Sequence, residues 1–496
     1  MGIVKRQGFY NSIMIYAGLA MGYVNTVLLI PRALEIEEAG LYGVFLSISL
    51  TFAQLPTSGI TSLIGRFFPY FRSGDKRHKG FVSLAAGAAL AVFVVFAIVF
   101  VLLRKPVLSF YEMGSPQLER YYYLVLPMAF FILWFSVFEV LARATYKTVF
   151  ATFLREFLLK FASAGGLLLV LFGYMEFHSF LLFYILSYGV ICVFLLFQLI
   201  ASGEFRFTWK IQVSRQQGTE FLRYGMYTML AGTPWVLIQK IDLNILSHYA
   251  VPAVLGGYYL YSNMSAAIGI PRNAMNKVTY QIVADAWERN DLAKIDEIYR
   301  KTSVVQLLLG SLLFVGIVVN RDNLFSLMSN DDYFPYFPLF YFLGLGQLVD
   351  ITGGLNAHII SISPRYRMGT LLVFLACLFC VGLNFLLVPQ YGGMGATFVY
   401  FLTMLVYNLS TWWFLKKHYR LQPFSGKHLY ILAFAGGAFL VGRYLPYMGH
   451  ILIDLPVRSL ITAVVFAVPV LVSRVSEDVN EQVGQALKKL GWRKKP

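Results

Sequence analysis

The stretch FVSLAAGAALAVFVVFAIVFVLL, residues 81–103, decides the fold of this chain. It contains no charged residue, and Arg104 and Lys105 follow it directly. The hydrocarbon core of a bilayer is about 30 Å thick, and about 20 apolar residues in an α-helix cross it. A membrane-spanning strand needs only about ten residues of alternating polarity. The stretch therefore predicts a transmembrane helix.

The composition extends this prediction to the whole chain. Of its 496 residues, 58% are hydrophobic and 13% are charged, against about 45–50% and about 25% in an average soluble domain. Backbone polar groups in lipid must pair within their own helix or within a closed barrel, and runs this long favour helices. We predict an all-α polytopic membrane protein with about 14 transmembrane helices. They lie near 10–31, 41–63, 81–103, 122–142, 150–172, 179–201, 221–247, 253–271, 303–319, 336–360, 368–388, 395–415, 429–447 and 457–473.

The basic residues predict the orientation. If the N-terminus is cytoplasmic, 31 of the 41 Lys and Arg residues fall in inner connectors and 7 fall in outer ones. Cytoplasmic loops of membrane proteins carry this excess of cations, so we expect both termini in the cytoplasm. The net charge of +16 then reflects loops that face anionic lipid rather than a nucleic-acid partner.

Connector lengths and one internal similarity predict the domain organisation. Gly40 and Tyr42 align with Gly256 and Tyr258 at an offset of 216 positions. A duplication of six helices gives two parallel halves with a site at their interface. We predict an N-terminal six-helix lobe at 1–201, a cytoplasmic linker at 202–220, a C-terminal six-helix lobe at 221–415 with an amphipathic elbow at 281–301, helices 13 and 14 within 416–473, and a basic cytoplasmic tail at 474–496.

Charged residues inside the fifth span form the first candidate site, since such groups cost about 2.5–3.5 kcal/mol each to insert and usually face water or a partner. Glu156 and Lys160 are four positions apart, the spacing of a helical ion pair, whereas Arg155 has no partner nearby in the sequence. Two interpretations remain open. In the first, Arg155 and Lys160 form a cationic wall for an anionic substrate. In the second, Glu156 and Lys160 form a structural ion pair and Arg155 reaches a lipid headgroup.

The seventh span carries Pro234, Lys240 and Asp242. Proline removes a backbone hydrogen bond and is expected to kink this helix. Lys240 and Asp242 are two positions apart and point to nearly opposite sides, so each needs a partner on another helix or in water. A polar cavity and contacts between helices both satisfy this need.

The tenth span brings Gln347, Asp350, Asn356 and His358 into one predicted helix. A buried carboxylate such as Asp350 can carry a coupling proton. His358 titrates near neutrality when unperturbed, but we interpret it as a residue at the cytoplasmic end of the helix that bonds to the backbone.

Other polar features give weaker signals. Arg32 ends the first span beside an acidic cluster and is either a phosphate contact at the outer mouth or an ion-pair partner of that cluster. Glu139 and Arg143 are spaced for an ion pair at the end of the fourth span. The Cys377–Cys380 pair is interpreted as packing, and no metal-binding or cofactor-binding motif is found.

Three segments resemble the polysaccharide transporter branch of the multidrug/oligosaccharidyl-lipid/polysaccharide exporter superfamily. They are NFLLVPQYGGMGATFVYFLT (384–403), PRALEIEEAGLYGVFLS (31–47) and ADAWERNDLAKIDEIYRKTS (284–303). The resemblance implies alternating access by two six-helix lobes, with helices 13 and 14 peripheral. It implies a bacterial inner-membrane location, a lipid-linked oligosaccharide as the transported partner, and glycan-assembly proteins of the same pathway as further candidate partners.

In that picture the substrate-binding candidates are Arg155, Lys160, Lys240 and Arg32, because a diphosphate is bound by Arg and Lys side chains. The ion-coupling candidates are Asp350 and Asp242. Two alternatives remain. A cation-coupled multidrug exporter of the same superfamily fits the acidic residues, and a membrane glycan polymerase or ligase is the more distant alternative because the outer loops are short.

Overall fold

Long α-helices joined by short connectors build this protein, because the bilayer offers the backbone no other hydrogen-bonding partners. The computed structural model describes residues 14–73, 78–145, 147–208 and 212–489, and no β-strand occurs among them. The prediction of an all-α polytopic membrane protein is confirmed. Every predicted span overlaps a helix in the described part of the chain.

The helices are numbered here in chain order. They are α1 (Met14–Ala33), α2 (Ile36–Phe71), α3 (Phe81–Leu102), α4 (Arg104–Tyr111), α5 (Leu118–Ala144), α6 (148–171), α7 (Phe177–Ala201), α8 (Arg215–Tyr249), α9 (Pro252–Ala266), α10 (Ile270–Glu288), α11 (Leu292–Val319), α12 (Arg321–Met328), α13 (Pro338–Thr352), α14 (Asn356–Ile362), α15 (Tyr366–Tyr419), α16 (Gly426–Tyr444), α17 (Ile451–Val472) and α18 (Glu477–Lys489).

Eight of these helices are long and apolar enough, by length and composition, to cross a membrane. They are α1, α2, α3 with the turn before it, α5, α7, α11, α15 and α17. The count of 14 spans adds α6, α8, α9, α13, α16 and a division of α15 into two, and it stays a prediction. α15 changes direction at Gly392, whose φ of 53° and ψ of −131° are not helical. That residue lies in the predicted connector between the eleventh and twelfth spans.

Several predicted boundaries are wrong. The linker 202–220 ends early, because Ser214 caps α8 by accepting a hydrogen bond from the Gln217 backbone N–H at 3.2 Å. The elbow 281–301 is not one helix. α10 ends at Glu288, Asn290 has a φ of 55°, and α11 starts at Leu292 and continues into the ninth span. The amphipathic pattern of residues 281–301 did not show that its first part belongs to α10 and its second part to α11.

The helices form two compact units, which are described separately. The first comprises residues up to Leu260 together with 381–396, and the second comprises 261–380 and the residues from Thr397 onward. Aromatic side chains fill the core of the first unit, where Phe68, Phe81 and Phe135 are almost fully buried. The lobes predicted at 1–201 and 221–415 remain a prediction.

Two glycines bring α2 and α9 into backbone contact within the first unit. A Cβ on Gly40 would lie 2.7 Å from the Pro252 carbonyl oxygen and 2.8 Å from the Gly256 nitrogen. A Cβ on Gly256 would in turn collide with the Ile36 carbonyl oxygen. Ile36 and Pro252 are related by the same offset of 216 as the two glycines. The contact is therefore reciprocal, as at a two-fold axis.

Candidate functional site

The fifth-span charges form a connected cluster in the first unit. Arg155 Nη1 lies 2.6 Å from Glu139 Oε2, and Arg155 Nε lies 3.2 Å from Glu156 Oε1. Lys160 Nζ lies 3.0 Å from Glu156 Oε2, which confirms the predicted i,i+4 pair. The expectation that Arg155 has no partner nearby in the sequence is wrong, because the adjacent Glu156 pairs with it. α5 supplies Glu139 as a second partner. Arg143, predicted to pair with Glu139, lies farther away at 3.9 Å.

The charged cluster lies at irregular turns in two adjacent helices. α6 contains a π-helical turn at Phe153–Leu158, and α1 contains another at Val24–Leu29. The two helices touch there, since Asn25 Nδ2 donates a hydrogen bond to the Lys160 carbonyl oxygen at 2.7 Å. π-turns are rare and occur frequently at functional sites. The Arg155 side chain keeps 44% of its surface exposed, so it can still reach a ligand.

A group of tyrosines lies in the same unit. Tyr42 contacts Tyr184 and Tyr259 edge to face, with ring centroids 5.6 Å and 5.8 Å apart. Tyr188, one helical turn beyond Tyr184, is 5.6 Å from it. Such rings combine an apolar face with a polar hydroxyl. Together they form a packed aromatic cluster in which Tyr42 is only 3% exposed.

The seventh-span residues separate as their spacing predicts. Lys240 and Asp242 do not pair with each other. Asp242, 2% exposed, accepts hydrogen bonds from Asn384 Nδ2 at 2.7 Å and from the Tyr258 hydroxyl at 3.3 Å. Lys240 is half-buried, and in the described part of the chain no carboxylate oxygen lies within 4.0 Å of its Nζ. Pro234 sits inside α8, which continues through it as one helix.

A second polar network surrounds Asp350 in the second unit. Asp350 forms an ion pair with Arg272, and Asn408 Nδ2 donates to its other oxygen at 3.5 Å. Asn356 Nδ2 donates to Asn408 Oδ1 at 2.9 Å. The sequence prediction missed Arg272, because it ended the eighth span at residue 271 and counted this cation in a connector. Arg272 lies instead in the first turn of α10, next to Pro271 at the helix start.

The predicted tenth span is also broken. α13 ends at Thr352, Gly354 adopts a φ of 61°, and α14 begins at Asn356. The expectation of a single helix carrying Asp350 and Asn356 is therefore wrong. His358 shows no ring hydrogen bond to the backbone among the described residues; its ring lies edge-on to Tyr280, 5.6 Å between centroids.

Solved structures of transporters share this architecture, although no family model and no curated protein matches the sequence. The chain is similar to a solved structure of the lipid II flippase MurJ in an inward closed conformation, with 12% identity, a TM-score of 0.75, and coverage of 94% of this chain and 98% of that one. It is also similar to an inward-facing multidrug resistance MATE family transporter of the MOP superfamily, with 14% identity, a TM-score of 0.61, and coverage of 83% and 98%.

A third structure, the Vibrio cholerae MATE transporter VcmN in the bent form, matches with 14% identity, a TM-score of 0.52, and coverage of 85% and 98%. The chain has the fold of the MOP superfamily. The predicted likeness to exporters of this superfamily is confirmed for the fold alone. Membership of the polysaccharide transporter branch stays a prediction.

One buried ion pair of this fold, Arg458–Asp454, includes no residue of the candidate sites. Arg458, counted in an outer connector from the sequence, lies inside α17 and bonds to Asp454 through Nε at 2.9 Å. Its Nη1 donates to the Gly442 carbonyl oxygen at 2.8 Å, and Asn323 donates to Asp454. Because every charged group here is satisfied by protein atoms, the pair joins α17 to α16 and α12 as a structural link.

Three further residues were singled out from the sequence: Arg32, Cys377 and Cys380. Arg32 is exposed at the end of α1, and its role as a phosphate contact stays a prediction. Cys377 and Cys380 are buried thiols about one helical turn apart on α15. In the described ranges no group of three or more His, Cys, Asp or Glu side chains is arranged to hold a metal ion.

Proposed function

We propose that this protein is a flippase that moves a polyprenyl-diphosphate-linked oligosaccharide from the inner to the outer leaflet of a bacterial inner membrane by alternating access. The fold supports a MOP-type transporter. Support for the substrate class comes from the charged side chains inside the helices. The buried carboxylates have partners in the protein, whereas the ammonium group of Lys240 has no carboxylate within ion-pair distance among the described residues.

The buried carboxylates already bond to neighbouring side chains of the protein. Asp242, Asp350 and Asp454 are the three carboxylates buried among the described residues, and each accepts hydrogen bonds from neighbouring side chains. An exporter of cationic drugs needs a carboxylate that is available to its substrate. Asp350 is compensated by Arg272, which leaves it poorly suited to that role.

Lys240 is the observation that carries the proposal. It is half-buried within α8 and has no carboxylate within ion-pair distance in the part of the chain that the structure describes. An uncompensated ammonium group inside a membrane helix is costly, and an anionic ligand removes that cost. Lys240 supplies a point charge to a phosphate. Arg155 is half-exposed but already pairs with Glu139 and Glu156, so a phosphate at Arg155 would compete with those two carboxylates.

The experiment measures flipping in proteoliposomes that contain a fluorescent polyprenyl-diphosphate oligosaccharide. A charge-assisted hydrogen bond contributes about 1.5–3 kcal/mol, so Lys240→Gln should lower transport about 10- to 150-fold. Lys240→Arg should retain most activity. The matched control is Lys105→Gln, because Lys105 is an exposed lysine outside the candidate sites. Unchanged flipping by Lys240→Gln at equal protein abundance would contradict the proposal.

The alternative is a cation-coupled multidrug exporter, because the fold is also similar to that of MATE transporters. Drug efflux that depends on Asp242 or Asp350, without any flipping of the lipid-linked sugar, would favour it. We propose that flipping is coupled to an ion through Asp242, since Asp350, the other ion-coupling candidate, is compensated by Arg272. Polymer formation by the purified protein would instead indicate the glycan polymerase or ligase.

A further inference from the structure

An apolar groove runs along the first unit between α2, α3 and α8. Its wall contains only apolar residues and glycines: Pro56, Gly59, Ile60 and Leu63 from α2, Leu84, Ala85, Ala88 and Val92 from α3, and Gly218, Phe221, Leu222, Gly225, Met226 and Met229 from α8. Leu222 and Met226 are 65% and 54% exposed, so the groove opens to the surroundings of the helices.

The groove has the length of one leaflet. Its lining positions on α3 run from 84 to 92, a rise of about 12 Å at about 1.5 Å per residue. One leaflet supplies about half of the about 30 Å hydrocarbon core, and an acyl chain fills that depth. The predicted orientation places this end of α3, just after Lys79, at the cytoplasmic surface.

Two arginines lie where the groove reaches that surface. Arg66 is one turn beyond Leu63 on α2, and Arg215 is one turn before Gly218 on α8, so each extends a lining face of its helix. Both are exposed. Arg66 lies over the Tyr224 ring, 4.5 Å from its centroid. In the described residues neither guanidinium has a carboxylate within 4.0 Å.

We propose that this groove binds an anionic phospholipid of the cytoplasmic leaflet, with an acyl chain in the groove and the phosphate at Arg66 and Arg215. An apolar slot one leaflet long with cations only at its mouth matches a lipid with an acyl chain and a charged headgroup. Arginine binds phosphate oxygens through paired donors. The lining residues of the groove include neither Lys240 nor a member of the Asp350 network, so the inference does not depend on the proposed substrate.

The test is native mass spectrometry of the full-length, delipidated protein with phosphatidylglycerol and with phosphatidylcholine of the same acyl chains. A cation near a lipid surface contributes about 1 kcal/mol, which corresponds to about fivefold in affinity. Arg66→Gln and Arg215→Gln should each lower phosphatidylglycerol affinity about fivefold and leave phosphatidylcholine binding unchanged. Arg289→Gln, which removes an exposed cation between α10 and α11 in the second unit, is the matched control.

A second pair of variants tests the groove itself. Ala88→Phe fills the groove and should abolish high-affinity binding of both lipids, whereas Leu90→Phe, on the exposed side of the same helix, should not. Wild-type phosphatidylglycerol affinity in the Arg66→Gln/Arg215→Gln double variant would overturn the proposal. So would a polyprenyl diphosphate that displaces phosphatidylglycerol from the wild type, because the groove would then belong to the transported substrate. If Ala88→Phe does not fold, the phosphatidylglycerol affinities of the arginine variants still test the proposal.

Discussion

Replacing Gly40 by alanine tests the reciprocal contact between α2 and α9. The new Cβ would lie 2.7 Å from the Pro252 carbonyl oxygen and 2.8 Å from the Gly256 nitrogen, whereas ordinary contacts begin at about 3.4 Å. Both neighbours are backbone atoms and cannot rotate away. The two helices must therefore separate locally by about 0.7 Å, and overpacking of this kind costs about 1–3 kcal/mol.

The assay is thermal unfolding of the detergent-solubilised protein, compared with Gly65→Ala and Gly87→Ala. Among the residues that the structure describes, no atom lies within 4 Å of a Cβ at either control position, and both positions are inside helices. Alanine there should stabilise by about 0.5–1 kcal/mol, because glycine loses more backbone entropy in a helix. Gly40→Ala should lower the unfolding temperature while both controls leave it unchanged or raise it.

The two-fold character of the contact makes a stronger test. Gly256→Ala should destabilise as Gly40→Ala does, because its Cβ meets Ile36, the counterpart of Pro252. One separation of the helices relieves both collisions, so the double variant should lose less stability than the sum of the single variants, as expected for coupled sites. Strict additivity, or a Gly40→Ala protein as stable as the Gly65→Ala control, would refute the reciprocal packing.

Other predictions concern the buried charges. Arg272→Gln should destabilise the protein by about 3–5 kcal/mol in thermal unfolding, because it leaves Asp350 unpaired, and adding Asp350→Asn should restore most of the loss; no restoration would contradict the pairing. Asp242→Asn should abolish the dependence of flipping on an ion gradient in proteoliposomes while substrate binding persists, and an unchanged dependence would remove Asp242 as the coupling residue. Arg458→Met should lower thermal stability but leave flipping per folded molecule unchanged, since Arg458 binds Asp454 and backbone carbonyls; a selective transport defect would argue against a structural role.

Hydropathy alone determined the class of this protein. A run such as 81–103 has no stable alternative to a helix in lipid, so the all-α membrane fold and the approximate positions of the helices follow from local composition. The Glu156–Lys160 pair was equally predictable, because its geometry is set by the spacing of two residues on one helix. The offset of 216 between Gly40 and Gly256 was visible in the sequence as well.

The tertiary structure decided what each charge faces. Glu139 reaches Arg155 from another helix, and Arg272 meets Asp350 although 78 positions separate them. No periodicity encodes such partners, because they depend on how helices pack side by side. The helix break at Gly354 was equally hidden, since glycine permits a positive φ but does not require one. The break at Gly392 differs, because it lies in a connector that hydropathy predicted. The sequence thus defined the helices, and only their packing showed that Asp350 is neutralised while Lys240 is not.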